Sequence, residues 1–217
     1  MAVHYVFKFV NMMLLIQKGD FMSDNNYSIY ICGVGGEGII KTSVIVGEAA
    51  MNEGYDVVMS EIHGMSQRGG SVSTELKIGD AKSSIIEENT ADMILGFEPV
   101  ELVRGLNKAN KETQLIFNNH PMVPPQLSSL NQSYPNINNL TNILKENYSN
   151  VYSINGNDLA IDAGNILSLN MVMLGAATAN KTFPLSKDKV IDAMKNNLKE
   201  KFHEMNVKAF NKGFDSL

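Results

Sequence analysis

The sequence predicts an α/β protein: a Rossmann-like three-layer sandwich with a mostly parallel sheet and a helical C-terminal tail. Three observations carry this. Short β-branched and aromatic runs, closed by glycines or turns, recur between stretches of helical spacing. Residues 27–60 read as strand, glycine turn, helix, strand, which is a βαβ unit with an expected right-handed crossover. From Asp158 onward the pattern is helical only. Such alternation places helices over a mainly parallel sheet.

The elements follow in order. Tyr27–Cys32 is a strand ending in glycines, and Ile39–Asn52 carries Ile39, Val46, Ala49 and Ala50 at helical spacing, with Gly54 just past its end. Tyr55–Ser60 is the next strand, followed by a loop over residues 61–70. Ser71–Ile78 alternates, with Val72, Thr74, Leu76 and Ile78 on one face, as a half-buried strand stopped by Gly79-Asp80. Ala91–Phe97 is a strand, and Glu98-Pro99 opens a helix through Leu106. Thr113–Phe117 is a strand. Residues 118–142, rich in Asn, Pro and Ser, form a long connection, since Pro121, Pro124 and Pro125 forbid regular structure. A helix is expected at Asn139–Glu146 and a strand at Val151–Ile154. Ile166–Ala179 is apolar enough for a buried helix, and a last amphipathic helix near 186–199 turns Val190, Ile191, Met194 and Leu198 inward.

The chain has 217 residues, 44% hydrophobic and 19% charged, so it can bury a core without covalent staples. A net charge of −5 argues against a nucleic-acid surface. A single cysteine, Cys32, excludes an intrachain disulfide and any four-cysteine zinc or iron–sulfur site. A cytoplasmic setting is expected. Residues 1–22 are expected to be an N-terminal extension, the alternative being an added edge strand or amphipathic arm, and residues 23–217 a single domain. The apolar start is broken by Lys8, Asn11, Gln17 and Lys18, too early and too often for a membrane span, and it offers no signal-peptide cleavage site.

Two constellations carry chemistry. Gly33, Gly35 and Gly38, with Gly36 between them, fit G-x-G-x-x-G between a strand and a helix, and Glu61 stands where a dinucleotide enzyme holds its ribose. Glu37 is expected at the helix mouth, where its charge would repel a phosphate. The glycines serve equally well a tight turn with close helix–strand packing. The second constellation, residues 61–70, gathers Glu61, His63, Gln67 and Arg68 between glycines at the carboxyl end of a strand expected to be parallel, which suits contact with an anionic partner or substrate.

Together, Gly33-Val34-Gly35-Gly36-x-Gly38 and the run Ser60-Glu61-Ile62-His63-Gly64-Met65-Ser66-Gln67-Arg68-Gly69-Gly70-Ser71-Val72 resemble the gamma-type subunit family of 2-oxoacid:ferredoxin oxidoreductases, most of all its indolepyruvate beta-subunit branch. Ala91-Asp92 to Phe97-Glu98-Pro99 and Gly164-Asn165 through Ala176 are similar too, so the likeness spans about residues 28–200. The family commonly has Gln where this chain has Glu37. The resemblance implies a role in oxidative decarboxylation of aryl 2-oxoacids to acyl-CoA and CO2, with electrons passed to ferredoxin. It also implies thiamine diphosphate and iron–sulfur clusters. This chain lacks the thiamine pattern, since Gly79-Asp80 is followed by Ala81 with no later Asn pair at the right distance, and it lacks the cysteines. The resemblance therefore places those cofactors in a larger partner subunit and none in this chain. His63 and Arg68, with Glu61, are then the candidates for facing that partner near its thiamine site. A stand-alone nucleotide-binding oxidoreductase, or a regulatory module using the glycine turn, is the alternative.

Overall fold

The computed structural model describes residues 26–64, 69–123 and 133–217. The expected N-terminal extension and the middle of the long connection lie outside the described residues.

Six strands form one sheet: β1 (Asn26–Val34), β2 (Val57–His63), β3 (Ser71–Gly79), β4 (Ala91–Gly96), β5 (Ala109–Asn118) and β6 (Asn150–Ile154), in the order β2-β3-β1-β4-β5-β6. β1, β4, β5 and β6 pair in parallel. β3 is antiparallel to both β1 and β2. The expected βαβ unit is therefore split: β1 and β2 point the same way, but β3 lies between them. A short connection from β2 favours an antiparallel hairpin, whereas the longer route through a helix is needed for the parallel relation of β1 and β2.

That insertion corrects a second expectation. β3 is not half-buried. Val72, Thr74, Leu76 and Ile78 are buried on one face, and Ser73 and Glu75 on the other. The Glu75 carboxylate accepts the Ile86 N–H and pairs with Lys108 at 3.1 Å, so a buried charge finds partners.

Among the described residues, seven helices cover the sheet. α1 (Ile39–Asn52), α4 (Gly156–Ala163), α5 (Leu169–Ala179), α6 (Lys187–Asn197) and α7 (His203–Phe214) share one core with Ile29, Ile31, Met93, Leu95 and Ile116. α2 (Pro99–Arg104) and α3 (Ile137–Asn147) share the other with Cys32, Ile94, Leu115 and Phe117. Successive residues of β1 thus alternate between two cores, which makes three layers. The helix expected at Ile166–Ala179 begins as a 3₁₀ turn, Ile166–Ser168, with Ile166 and Leu167 exposed, and is buried from Ser168 on. The helix near 186–199 is not the last. α7 follows it, with Asn206, Ala209, Phe210 and Gly213 as its buried stripe.

Candidate functional site

The carboxyl ends of β1, β4, β5 and β6 lie at one end of the sheet, and β2, running the same way as β1, ends there too. This is where open α/β sheets place their working groups. The glycine turn and the connection after β2 meet at that end. The Gly35 N–H donates to the Gly70 carbonyl at 2.8 Å, and the Gly69 N–H donates back to the Gly35 carbonyl at 3.3 Å. Two motifs that stand apart in sequence are one structure.

Within the turn, Gly36 and Gly38 have φ of +114° and +87°, conformations that favour glycine. Gly33 has a different reason. A Cβ there would stand 2.7 Å from both the Glu37 Oε2 and the Phe97 Cβ.

Glu37 is not at the helix mouth, as the sequence led us to expect. Its Oε2 accepts the Val34 N–H at 2.6 Å, folding the carboxyl back toward β1. Burial pushes its pKa up to about 8. The hydrogen bond from Val34 opposes that rise, and the nearby Glu98 and Glu101 add to it. Near pH 7 the group is mostly a neutral carboxylic acid. A Gln side chain is also neutral and has almost the same shape, so it would suit this place.

Glu98 and Glu101, which the sequence reading did not single out as site residues, build the floor beside it. Glu98 is 2% exposed. Its Oε2 caps α2 by accepting the N–H groups of Val100 and Glu101 at 2.8 and 3.0 Å. Its Oε1 accepts the Met122 N–H at 3.2 Å and the Tyr134 hydroxyl. Glu101 accepts the Ser71 hydroxyl at 2.6 Å and pairs with Arg104. Burial raises its pKa, against the pull of Ser71 and Arg104. The signal for this floor was Glu98-Pro99, a capping residue before a helix-starting proline.

The candidates from the second constellation divide. Glu61 and His63 sit in β2, not in a loop, because the ladder with β3 continues through Glu61↔Thr74 and His63↔Val72. β2 is also an edge strand paired only antiparallel, so its position at the carboxyl end comes from β3 and not from a parallel neighbour. Glu61 and His63 point to the same face, with Oε2 and Nε2 3.2 Å apart and both side chains partly exposed. Arg68 lies outside the described residues. His63, Gly64, Gly35, Gly36, Gly38 and Lys41 line a cleft of about 750 Å³, so the structure brings His63 and the glycine turn to one opening.

The inventory does not fit a cluster site. Cys32 is 2% exposed, and burial raises its thiol pKa well above the usual value, with Glu101, Glu37 and Glu98 adding to the rise, so it is no available thiolate ligand. Among the described residues no three His, Cys, Asp or Glu side chains converge as a metal site. No single described helix is long and apolar enough to cross a membrane.

Comparison with known proteins adds the following. Residues 28–216 match the family model described as pyruvate ferredoxin/flavodoxin oxidoreductase. The chain is 50% identical to the indolepyruvate oxidoreductase subunit IorB of Methanothermobacter thermautotrophicus, over 87% of this chain and 96% of that one. It is 38% identical to the subunit of the same name from Pyrococcus horikoshii, over 86% and 94%. Among solved structures it superposes on the gamma subunit of a keto/oxoacid ferredoxin oxidoreductase from Geobacter sulfurreducens with a TM-score of 0.65 and 26% identity, covering 88% of this chain and 97% of that one. With this fold, this turn and these relatives along nearly its whole described length, the chain belongs to the pyruvate ferredoxin/flavodoxin oxidoreductase family, as a small subunit of a 2-oxoacid:ferredoxin oxidoreductase.

Proposed function

We propose that this chain is the subunit without cofactors in an indolepyruvate-type ferredoxin oxidoreductase of the cytoplasm. The observation that carries the reading is 50% identity to an indolepyruvate oxidoreductase subunit across 96% of that protein. The burial of Cys32, this chain's one cysteine, supports placing the redox groups elsewhere. The overall reaction joins a 2-oxoacid and coenzyme A to give acyl-CoA and CO2. The electron pair released goes to ferredoxin, one electron per carrier. A larger partner subunit supplies thiamine diphosphate and iron–sulfur clusters, and ferredoxin docks on the assembled complex.

In this reading the carboxyl end of the sheet meets the partner. His63, positioned by Glu61, and Arg68 on the following connection offer a titratable imidazole and a guanidinium to an acidic or phosphorylated group across the interface. The test is coexpression with the large subunit, then turnover of a 2-oxoacid panel with a viologen dye as acceptor. The isolated chain is expected to be inactive, and the complex to prefer indolepyruvate over pyruvate and 2-oxoglutarate. Turnover by the isolated chain, or a preference for 2-oxoglutarate, overturns the proposal. His63→Ala and Arg68→Ala are expected to leave the subunit folded and to weaken assembly or turnover. Parent-like behaviour of both variants removes the interface role.

A further inference from the structure

Where the sequence promises a buried helix from Ile166, the molecule turns apolar side chains outward. Leu167 is 79% exposed, and Ile166 in the same 3₁₀ turn is exposed too. Ile161, on the preceding helix α4, is 60% exposed, and Phe202, just ahead of α7, is also in the open. The fold brings these segments to one corner. A Cβ on Gly164 would stand 3.7 Å from the Met205 Cγ, so the end of α4 lies against the start of α7. A lone exposed leucine needs no account, but four large apolar groups at one corner mark a contact surface.

The rim of this corner is basic. Residues 181–217 hold eight Lys against five Asp and Glu, in a chain whose net charge is −5. Lys208 and Lys212 are held inward by Asp162, one at its carbonyl and one at its carboxylate. Lys199 and Lys201, which lead into Phe202, make no ion pair among the described residues. The Lys201 ammonium lies 4.9 Å from the centre of the Phe202 ring, so a cation and an aromatic ring are presented together.

We infer that this corner is a permanent docking surface for the larger partner subunit, and that it takes a face of that subunit with an apolar centre and an acidic rim. The inference rests on the subunit reading above. β6 ends at Ile154, Gly156 opens α4, and a Cβ on Gly156 would stand 2.8 Å from the Leu169 Cδ1, directly after the exposed turn. The corner therefore lies at the carboxyl end of the sheet, the end proposed to meet that partner. Its apolar content favours a lasting contact over a passing one, because obligate interfaces resemble a core cut in half. Leu167 and Phe202 are the anchors. Lys199 and Lys201 set the charge of the opposing rim, since a basic face would confront them with like charge.

The test is the purified complex of this chain with the large subunit, followed on dilution by mass photometry. Leu167→Asp is expected to raise the dissociation constant about tenfold or more, or to abolish copurification. Lys199→Glu with Lys201→Glu is the second variant, on exposed side chains, and is expected to weaken assembly by a similar factor with the circular dichroism unchanged. Ile85→Asp is the control. Ile85 is 64% exposed on the connection between β3 and β4, at the opposite end of the sheet, and this variant is expected to assemble like the parent. Parent-like assembly of both corner variants, or an equal loss in Ile85→Asp, overturns the inference and leaves the subunit reading standing. A parent chain that never joins the large subunit overturns both. Unchanged assembly with a higher KM for ferredoxin assigns the corner to the electron carrier, and unchanged assembly with lost self-association of the free chain assigns it to a second copy. Either result overturns the inference.

Discussion

Glycine does two different jobs in this molecule. Where α5 crosses α7, a Cβ on Gly213 would lie 1.8 Å from the Val172 carbonyl oxygen, and one on Gly175 would lie 2.0 Å from that of Phe210. Backbone meets backbone, and nothing there can turn aside. At the glycine turn, a Cβ on Gly36 would meet nothing within 4 Å, and the requirement is the dihedral of +114°. In one region glycine is needed for space, and it fixes how two core helices sit. In the other it is needed for angle, at the turn that leads from β1 into α1. The largest expected effect breaks the first region. Gly213→Ala must push the helices apart, and should cost more than about 3 kcal/mol even after the roughly 1 kcal/mol that alanine gains in a helix. In a thermal melt that is a fall of about 6–12 °C for a chain of this size. A loss under about 1 kcal/mol would mean that the crossing is loose and the contrast false.

The two regions were not equally legible in the sequence. α1 was read to its last residue because its signal is local: apolar and small residues at helical spacing, then Gly54. The start of α2 was legible for the same reason, from Glu98-Pro99. α7 was missed because Lys208, Asn211 and Lys212 interrupt a buried stripe, Asn206, Ala209, Phe210 and Gly213, that is itself partly polar and makes sense only against α5. The strand order was missed because β3 joins β1 through residues far apart in the chain, and periodicity carries no register. Glu61 and His63 read as loop since an edge strand's last residues are polar and exposed. Glu37 was placed at the helix mouth because sequence position shows where a residue is and not which way its carboxyl folds. The working role of Glu98 needed Tyr134, a partner in a different segment.

The next effect tests whether the floor of the turn is as rigid as the α5–α7 crossing. Glu98→Ala strips the acceptor from the Val100, Glu101 and Met122 amides and from the Tyr134 hydroxyl at once. The loss of a cap together with buried donors should cost about 2–3 kcal/mol, read by denaturant unfolding. Glu98→Gln keeps an acceptor and should recover part of it. If Glu98→Ala is neutral, the floor is replaceable and only the crossing organises the fold.

Titration separates the regions further. Glu37 has its folded pKa raised from 4.5 to about 8. The unfolded chain loses that proton first, so stability is fullest below about pH 4.5 and declines as pH rises toward 8. Glu37→Gln cannot ionise. It should flatten this slope and, near pH 8, leave the variant more stable than the parent. The measurement is unfolding free energy from pH 5 to 8 for both proteins. Parallel curves would mean that the carboxyl is ionised in the folded protein, and that the turn carries a fixed negative charge.

The smallest expected effect is the one that sharpens the comparison most. Gly36→Ala puts a side chain into open space, so no atom has to move for it. What remains is the strain of a positive φ, roughly 1 kcal/mol, set against the smaller unfolded-state entropy of alanine. The turn is tied to Gly70 and Gly69 by two backbone bonds, which hold the dihedral against relaxation. The loss should therefore appear as strain and not as a rearranged turn, with the amide resonances of α5 and α7 unmoved. A cost of about 1 kcal/mol beside more than about 3 for Gly213→Ala would establish angle against space as two separate demands on one residue type. Equal costs would show that Gly36, too, is closely packed, and the cleft at α1 would then be narrower than its backbone implies.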